Sequence, residues 1–392
     1  MLDTNAVTIL LPRGFSSHVA NVGVKDDTKD FTVVLADSTC PTAAVFTRSR
    51  FAGPSVIVSR RNVSAGAARA VVVVSKNANV ANGDVGMRDA EDVVARVADR
   101  LGIDPNEVLI ASTGVIGRPY PIERIREGIG TIPVPLSHSD AEDVARGIMT
   151  TDTVHKVSEA VVAGSGARVV GVAKGVGMIE PDMATLISLV FTDAAVDSST
   201  LDAAFRRVID RTLNCVSVDT DTSTSDTAVV MASGAAGPVD AAAFEVALHS
   251  VLLDLTRKVA RDGEGAETLI EVRVDGARDV AQAKRVAKSI VNSPLVKTAV
   301  HGADPNWGRV AMAIGKCSDD TDIDEGEVVI RFGAQEVFPS RVDDEGLALL
   351  SRYMSGEEVL IHVSLGIAGG EATVWGCDLT DGYVRINADY TT

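Results

Sequence analysis

Short β-branched runs alternate along this chain with stretches whose apolar residues recur at helical spacing, and no other feature restricts its fold as much. Residues 31–36 (FTVVLA), 54–59 (PSVIVS), 69–74 (RAVVVV) and 108–112 (VLIAS) are valine- or isoleucine-rich and bounded by turn residues, which predicts strands. Between Asp89 and Leu101 the apolar positions Val93, Val94, Val97, Ala98 and Leu101 share a helical face, and Gly102 supplies a stop. Helices are expected likewise over 200–213, 240–261 and 279–291, with shorter ones from about 308 to Gly315 and around Leu347–Met354. Ser139 and Glu142 have the spacing of a capping box that opens a helix through Ile148. Further strands are predicted at 155–163 and 167–173, joined by Gly164-Ser165-Gly166, and then at 269–274, 327–333, 359–368, 372–379 and 383–387. The pattern is that of an α/β protein.

A chain of 392 residues can form two or three domains around a large core. Its residues are 46% hydrophobic but only 4% aromatic, so that core is built from small aliphatic side chains. A net charge of −17 without a basic cluster argues against nucleic acid or an anionic membrane as partner, because phosphate binding needs concentrated positive charge. Cys40, Cys215, Cys317 and Cys377 lie far apart with no C-x-x-C pair, as expected of reduced, mostly buried thiols. The scattered histidines show no zinc-ligand spacing. The N-terminal segment carries no basic region of the signal-peptide type, and no apolar run reaches the roughly 18 residues of a membrane span. A soluble, cytoplasmic protein is expected.

The stretch Gly171–Phe191 carries the most chemistry. Gly171, Gly175 and Gly177 precede Pro181, and a short apolar run follows Thr185. A threonine at the start of a buried strand is ordinarily a packing residue. Crowded glycines, however, mark backbone that bends sharply or approaches another group closely. If the Ala184–Thr185 peptide breaks, Thr185 gains a free amine beside its hydroxyl, a nucleophile carrying its own base.

Other stretches admit a functional and a plain reading. Thr113-Gly114 at the end of VLIAS can aim a hydroxyl and a backbone N–H at one point, as an oxyanion hole requires, or simply turn the chain. Glu264 between Gly263 and Gly265 can grip an ammonium, or belong to a polar helix-end loop. The Asn-rich segment 75–83 suggests Asx turns. The string 219–226 (DTDTSTSD) fails as a calcium loop, since Thr224 and Val230 occupy the positions that need Gly and Glu. Ser293 lacks a nucleophile-elbow context, and Gly308–Lys316 followed by Cys317 is no phosphate loop.

Lys174-Gly175-Val176-Gly177-Met178 with Pro181-Asp182-Met183-Ala184-Thr185-Leu186 resembles the self-cleavage signature of the ornithine acetyltransferase (ArgJ-type) family. The strings STGVIG (112–117), DTDTSTSD, DGEGA (262–266) and DPNWGR (304–309) resemble that family too, over essentially the whole chain. The resemblance implies an α-β-β-α sandwich of the self-processing N-terminal-nucleophile type with a smaller C-terminal α/β domain, divided as 1–280 and 281–392. It implies autocleavage between Ala184 and Thr185 into fragments 1–184 and 185–392, assembled as an α2β2 heterotetramer. Thr185 would be the nucleophile, and Thr113 and Gly114 would form the oxyanion hole. Thr150, Thr151, Lys174, Thr185, Glu264, Asn387 and Thr392 would bind substrate. The implied reaction carries acetyl from N-acetylornithine to glutamate with no cofactor or metal; acetyl-CoA is a further donor in bifunctional members.

Two departures stand out. Val176 replaces a common serine, and Glu180-Pro181-Asp182 replaces Ala-Pro-Asn. Both resemble the family's branch from clavulanic acid gene clusters, so arginine and antibiotic biosynthesis are both implied settings. The rival readings are an aminopeptidase or amidase of the same architecture and an uncleaved, non-enzymatic binding homologue.

Overall fold

A computed structural model describes residues 8–25, 27–180 and 186–389, and within them strands and helices alternate. The first half comprises β1 (Phe15–Ala20), β2 (Phe31–Phe46), α1 (Pro54–Asn62), β3 (Ala67–Val74), α2 (Gly83–Leu101), β4 (Val108–Ser112), α3 (Ile122–Thr131), α4 (Ala141–Ile148), β5 (Lys156–Val161) and β6 (Arg168–Lys174). The second begins with β7 (Ile187–Ala195), α5 (Ser198–Arg211), β8 (Thr227–Pro238), α6 (Ala241–Arg261), β9 (Leu269–Ala277), α7 (Val280–Val291), α8 (Pro294–His301) and α9 (Trp307–Gly315). It ends with β10 (Val329–Phe332), β11 (Gln335–Phe338), α10 (Asp344–Met354), β12 (Glu358–Ser364), β13 (Gly370–Cys377) and α11 (Asp381–Asp389).

Strand β2 joins two layers. Its first half pairs with β1 and β3, β3 then pairs with β4, and its second half pairs with β8 after a register shift between Leu35 and Cys40. From β8 the hydrogen-bonded order continues through β7 and β6 to β5. The two halves face one another across an apolar layer. Val34, Val71, Val73 and Leu109 from one side meet Val172, Leu189, Phe191 and Met231 from the other, with α4 contributing Val144 and Ile148. On the outer face of the first half, Val33, Val72 and Ile110 pack against α2 and α3; on the outer face of the second, Val190 and Val230 pack against α5 and α6. The order helix, sheet, sheet, helix is the expected α-β-β-α sandwich. Phe191 is fully buried, its ring centroid 5.1 Å from that of Phe15; truncating such a residue to alanine costs about 3–5 kcal/mol.

A five-stranded sheet, β11-β10-β12-β9-β13, packs against α7 and shares an apolar cluster with α5 and α6. Its strand β9 precedes residue 280 in the chain. Among the described residues no helix is long and apolar enough to cross a membrane.

Three local expectations are corrected. Residues 54–59 are helical, because Pro54 in the first turn sets helical φ and the segment closes in Arg60 and Arg61, favourable at a helix C-terminus; the valines read as a strand are both fully buried, on opposite sides of the helix and in separate apolar clusters. Residues 383–387 belong to α11, not to a strand. Asp140, not Ser139, caps α4, its side chain accepting from the backbone N–H groups of Glu142 and Asp143. Helices α3 and α8 and strands β1, β8 and β11 form where the sequence pattern predicts no element.

Candidate active site

Loops and termini of six elements open on one cavity of about 150 Å³, lined by Thr113, Gly114, Ile116, Thr150, Thr151, Lys174, Gly177, Met178, Ser223, Thr224, Ser225, Glu264 and Asn387. Every described residue expected to act in the site is on that wall: Thr113, Gly114, Thr150, Thr151, Lys174, Glu264 and Asn387. Ala184, Thr185 and Thr392 lie outside the described residues.

Thr113 follows the last residue of β4, and its N–H donates to Val74 O at 3.1 Å. Gly114 then takes φ +125°, and a β-carbon there would stand 2.3 Å from the Lys76 carbonyl carbon, so only glycine fits. The Asn-rich segment braces this turn. Asn77 bridges to Thr113 and Val115 and donates its amide to Pro119 O, while Asn79 N–H donates to Asn77 Oδ1 in an Asx turn.

Thr150 and Thr151 follow α4, and the structure gives them separate partners. Lys174, the last residue of β6, donates to Thr150 Oγ1 at 3.4 Å, whereas Thr151 Oγ1 donates to Glu264 Oε1 at 3.3 Å. Burial pushes the Lys174 ammonium below the ordinary lysine range, with Asp152, Asp226 and Glu264 opposing and Lys156 assisting. Glu264 also accepts from Asn387 Nδ2 at 2.9 Å, and its backbone N–H donates to Val176 O. The glycines beside it serve the protein and not a ligand: a β-carbon on Gly263 would meet Cys377 Sγ at 2.6 Å, and one on Gly265 would meet Tyr383 N at 2.4 Å. They let β13 and α11 close on the loop.

The string 219–226 has a definite task. Asp219 accepts from the N–H groups of Met178 (2.7 Å) and Ile179 (2.8 Å), which holds Met178 at φ +56°, a left-handed conformation uncommon for such a residue. Glu180 N–H donates to Asp221 O. The chain is thus gripped just ahead of Pro181. Asp226 lines a small adjoining recess with Thr113, Lys174 and Leu186. Its carboxyl is buried, Oδ2 has no hydrogen-bond partner among the described residues, and burial raises its pKa well above the usual carboxylate range despite Ser223, Lys174 and Thr47.

Sequence reasoning did not single out Asp226, Asp152 or Lys156 as site groups. Lys156 sits in a strand whose alternation offers no sign that its ammonium is fully buried. Among the described residues, Glu267, His301 and Asp378 bring ligand-type atoms within 4.8 Å of one another, but none lines the cavity, and Asp378 Oδ1 is occupied by the N–H groups of Glu267 and Thr268. Ser293 is a helix cap, accepting from Val296 N–H.

In chemical terms the cavity joins a turn with hydroxyl and N–H donors, one ammonium and one carboxylate. That set suits an amino-acid ligand and a carbonyl that develops negative charge.

Comparison with known proteins is decisive. The ArgJ family model matches residues 16–392. The arginine biosynthesis bifunctional protein ArgJ 2 of a Nostoc species is 56% identical over 97% of this chain and 98% of its own. The glutamate N-acetyltransferase Oat2 of Streptomyces clavuligerus is 58% identical over the same shares. A crystal structure of the arginine biosynthesis bifunctional protein argJ from Bacillus halodurans is 42% identical, covering 52% of this chain and 98% of that one with a TM-score of 0.49.

Proposed function

This chain belongs to the ArgJ family, and from that premise we propose that it is a glutamate N-acetyltransferase carrying acetyl from N2-acetyl-L-ornithine to L-glutamate. The observation that carries the reading is the convergence of Thr113, Gly114, Thr150, Thr151, Lys174, Glu264 and Asn387, far apart in sequence, on one cavity.

Maturation comes first. The Thr185 hydroxyl attacks the Ala184 carbonyl, acyl shifts from nitrogen to oxygen, and water hydrolyses the ester to leave fragments 1–184 and 185–392. The held turn at Met178 and the grip of Asp219 support a chain constrained on approach to that bond. In turnover, Thr185 Oγ attacks the acetyl carbonyl while its α-amine takes the hydroxyl proton. Thr113 Oγ and Gly114 N–H stabilise the oxyanion, each donor contributing about 3 kcal/mol. The C–N bond then breaks, the proton passes to the leaving amine, and ornithine departs. The glutamate amine attacks the acetyl ester by the reverse route and releases N-acetylglutamate.

Both substrates carry an α-carboxylate, which the Lys174 ammonium and the Thr150 hydroxyl beside it suit. Glu264 suits the side-chain ammonium of ornithine. The pair fragments assemble as an α2β2 unit, with Thr392 at the substrate, in the cytoplasm. The chain serves arginine or clavulanic-acid-type biosynthesis, and it divides into the portions 1–280 and 281–392, with β9 at the end of the first completing the sheet of the second.

The test compares acceptors. With N-acetylornithine as donor, acetyl should appear on glutamate, with parallel initial-rate lines at varied concentrations of both substrates. Release of acetate to water at the same rate with and without glutamate would instead identify an amide hydrolase. Acetyl-CoA in place of N-acetylornithine shows whether a second donor is accepted.

A further inference from the structure

We propose that Lys156, outside the cavity wall, is the positioning residue that holds the three substrate-facing loops in register; the inference rests on the reading of the cavity as the substrate site. Its side chain is wholly buried. Nζ stands 2.7 Å from Asp152 Oδ1 and 2.5 Å from Asp262 Oδ2, and it reaches the Val154 carbonyl at 3.4 Å. Each carboxylate then holds backbone that carries a cavity residue. Asp152 Oδ2 accepts from Thr150 N–H at 3.0 Å, and Asp152 Oδ1 accepts at 2.7 Å from the N–H of Gly175, the residue after Lys174. Asp262 takes the N–H of Thr153 at 3.2 Å and its hydroxyl, two residues ahead of Glu264.

One ammonium therefore ties the loop after α4, the end of β6 and the loop after α6. Those are the three places that supply Thr150 and Thr151, Lys174, and Glu264. A core strut of similar cost could be placed anywhere in the fold, and a pair of apolar residues would serve it at least as well. This one meets the cavity loops and leaves Asp152 below the ordinary carboxylate range: burial works against that charge, but Lys156 and Lys174 outweigh it. The same Asp152 faces both lysines, so the Lys156 bridge also sets the charge environment of Lys174. Groups that fix the binding residues without touching the ligand determine how well the cavity matches it.

The experiment compares the wild-type chain with three variants. Lys156→Met removes the charge at similar size. It also leaves two buried carboxylates facing each other, so it can fail to fold. The triple variant Asp152→Asn, Lys156→Met, Asp262→Asn removes all three charges together and keeps the site neutral. Lys156→Arg keeps the charge in a different shape. Folding is followed by circular dichroism, ornithine affinity by calorimetry, and KM and kcat for N-acetylornithine and glutamate by initial rates. In every folded variant lacking the charge, KM for both substrates and Kd for ornithine should rise about tenfold or more, with kcat changing less, because the displaced loops carry the charged and hydroxyl contacts to the ligand, and losing one charged hydrogen bond is felt about tenfold. Lys156→Arg should recover part of the affinity. A folded charge-lacking variant with normal KM and Kd overturns the positioning role, even if its Tm has fallen. Wild-type protein that binds no ornithine overturns the reading of the cavity, a result separate from any variant.

Discussion

Glu264 is seated directly against Gly177: a β-carbon at residue 177 would stand 2.5 Å from Oε2 and 2.6 Å from Cδ. The contact is with the far end of a flexible side chain, so Gly177→Ala should displace the carboxylate without unfolding the protein. Its φ is not in the left-handed region, so alanine adds no backbone strain. KM for N-acetylornithine is expected to rise about tenfold, the weight of one charged hydrogen bond, with Tm nearly unchanged. A melt and initial-rate kinetics on one preparation check this.

Lys174 trades stability for binding. Burial lowers its pKa in the folded state, so below that value folding must bury a charge that the unfolded chain hydrates freely. The penalty is full below the folded-state value, shrinks between that value and the unfolded one, and is gone above the unfolded lysine value. Lys174→Met should therefore raise Tm at neutral pH by about 1–3 °C, and the gain should fade in alkaline buffer. The same variant should raise KM for both substrates roughly 10- to 100-fold through loss of the carboxylate partner. In the wild type, KM should climb with pH from a lower pH than an ordinary lysine would give.

Asp226 runs the other way. Its carboxyl pKa is raised by burial, so between the ordinary carboxylate value and its own raised value the folded state holds a proton that the unfolded state has released. Stability contributed by this group is complete below the ordinary value and falls as pH rises. Asp226→Asn, which mimics the protonated acid in shape, should match wild type near pH 3–4 and exceed it at neutral pH by about 1–3 °C in Tm. Melting curves across that range measure it.

The Thr113–Gly114 turn separates chemistry from folding. Thr113→Ala removes one hydroxyl at a buried position and should lower kcat about 10²- to 10³-fold, as loss of an oxyanion donor does, with KM little altered. Gly114→Ala forces a β-carbon into the Lys76 backbone at φ +125° and should destabilise the protein by about 1–3 kcal/mol as well. Equal loss in the two variants, with no change in Tm for the second, would count against this geometry.

The parts legible in sequence were those governed by local rules. Strand β4 was read to the residue, because VLIAS is short, apolar and ends at a glycine turn. Helices α6 and α7 followed from their apolar spacing within a residue of their observed starts. Residues 54–59 and 383–387 went wrong where β-branched and aromatic content outweighed helix signals: Pro54 at a helix start, and Asp381 in the first turn of α11. The cavity residues came from family resemblance, and the fold supplied their partners. Lys156 meets Asp262 across 106 positions, and Asp226, just ahead of β8, approaches Lys174 at the end of β6 with β7 between the two strands; no local pattern records either. A buried lysine looks in sequence like any surface lysine. Only the closed sandwich shows which of them is dry.

The central claim is that Thr185 becomes an N-terminal nucleophile and carries the acetyl group. Intact-mass analysis of the purified protein, before and after exposure to N-acetylornithine without glutamate, tests it most directly. The account predicts two fragments, 1–184 and 185–392, with the second heavier by one acetyl group after exposure and restored by glutamate. Thr185→Ala should remain a single unacetylated chain. An intact 392-residue species that transfers acetyl at the full rate would contradict it.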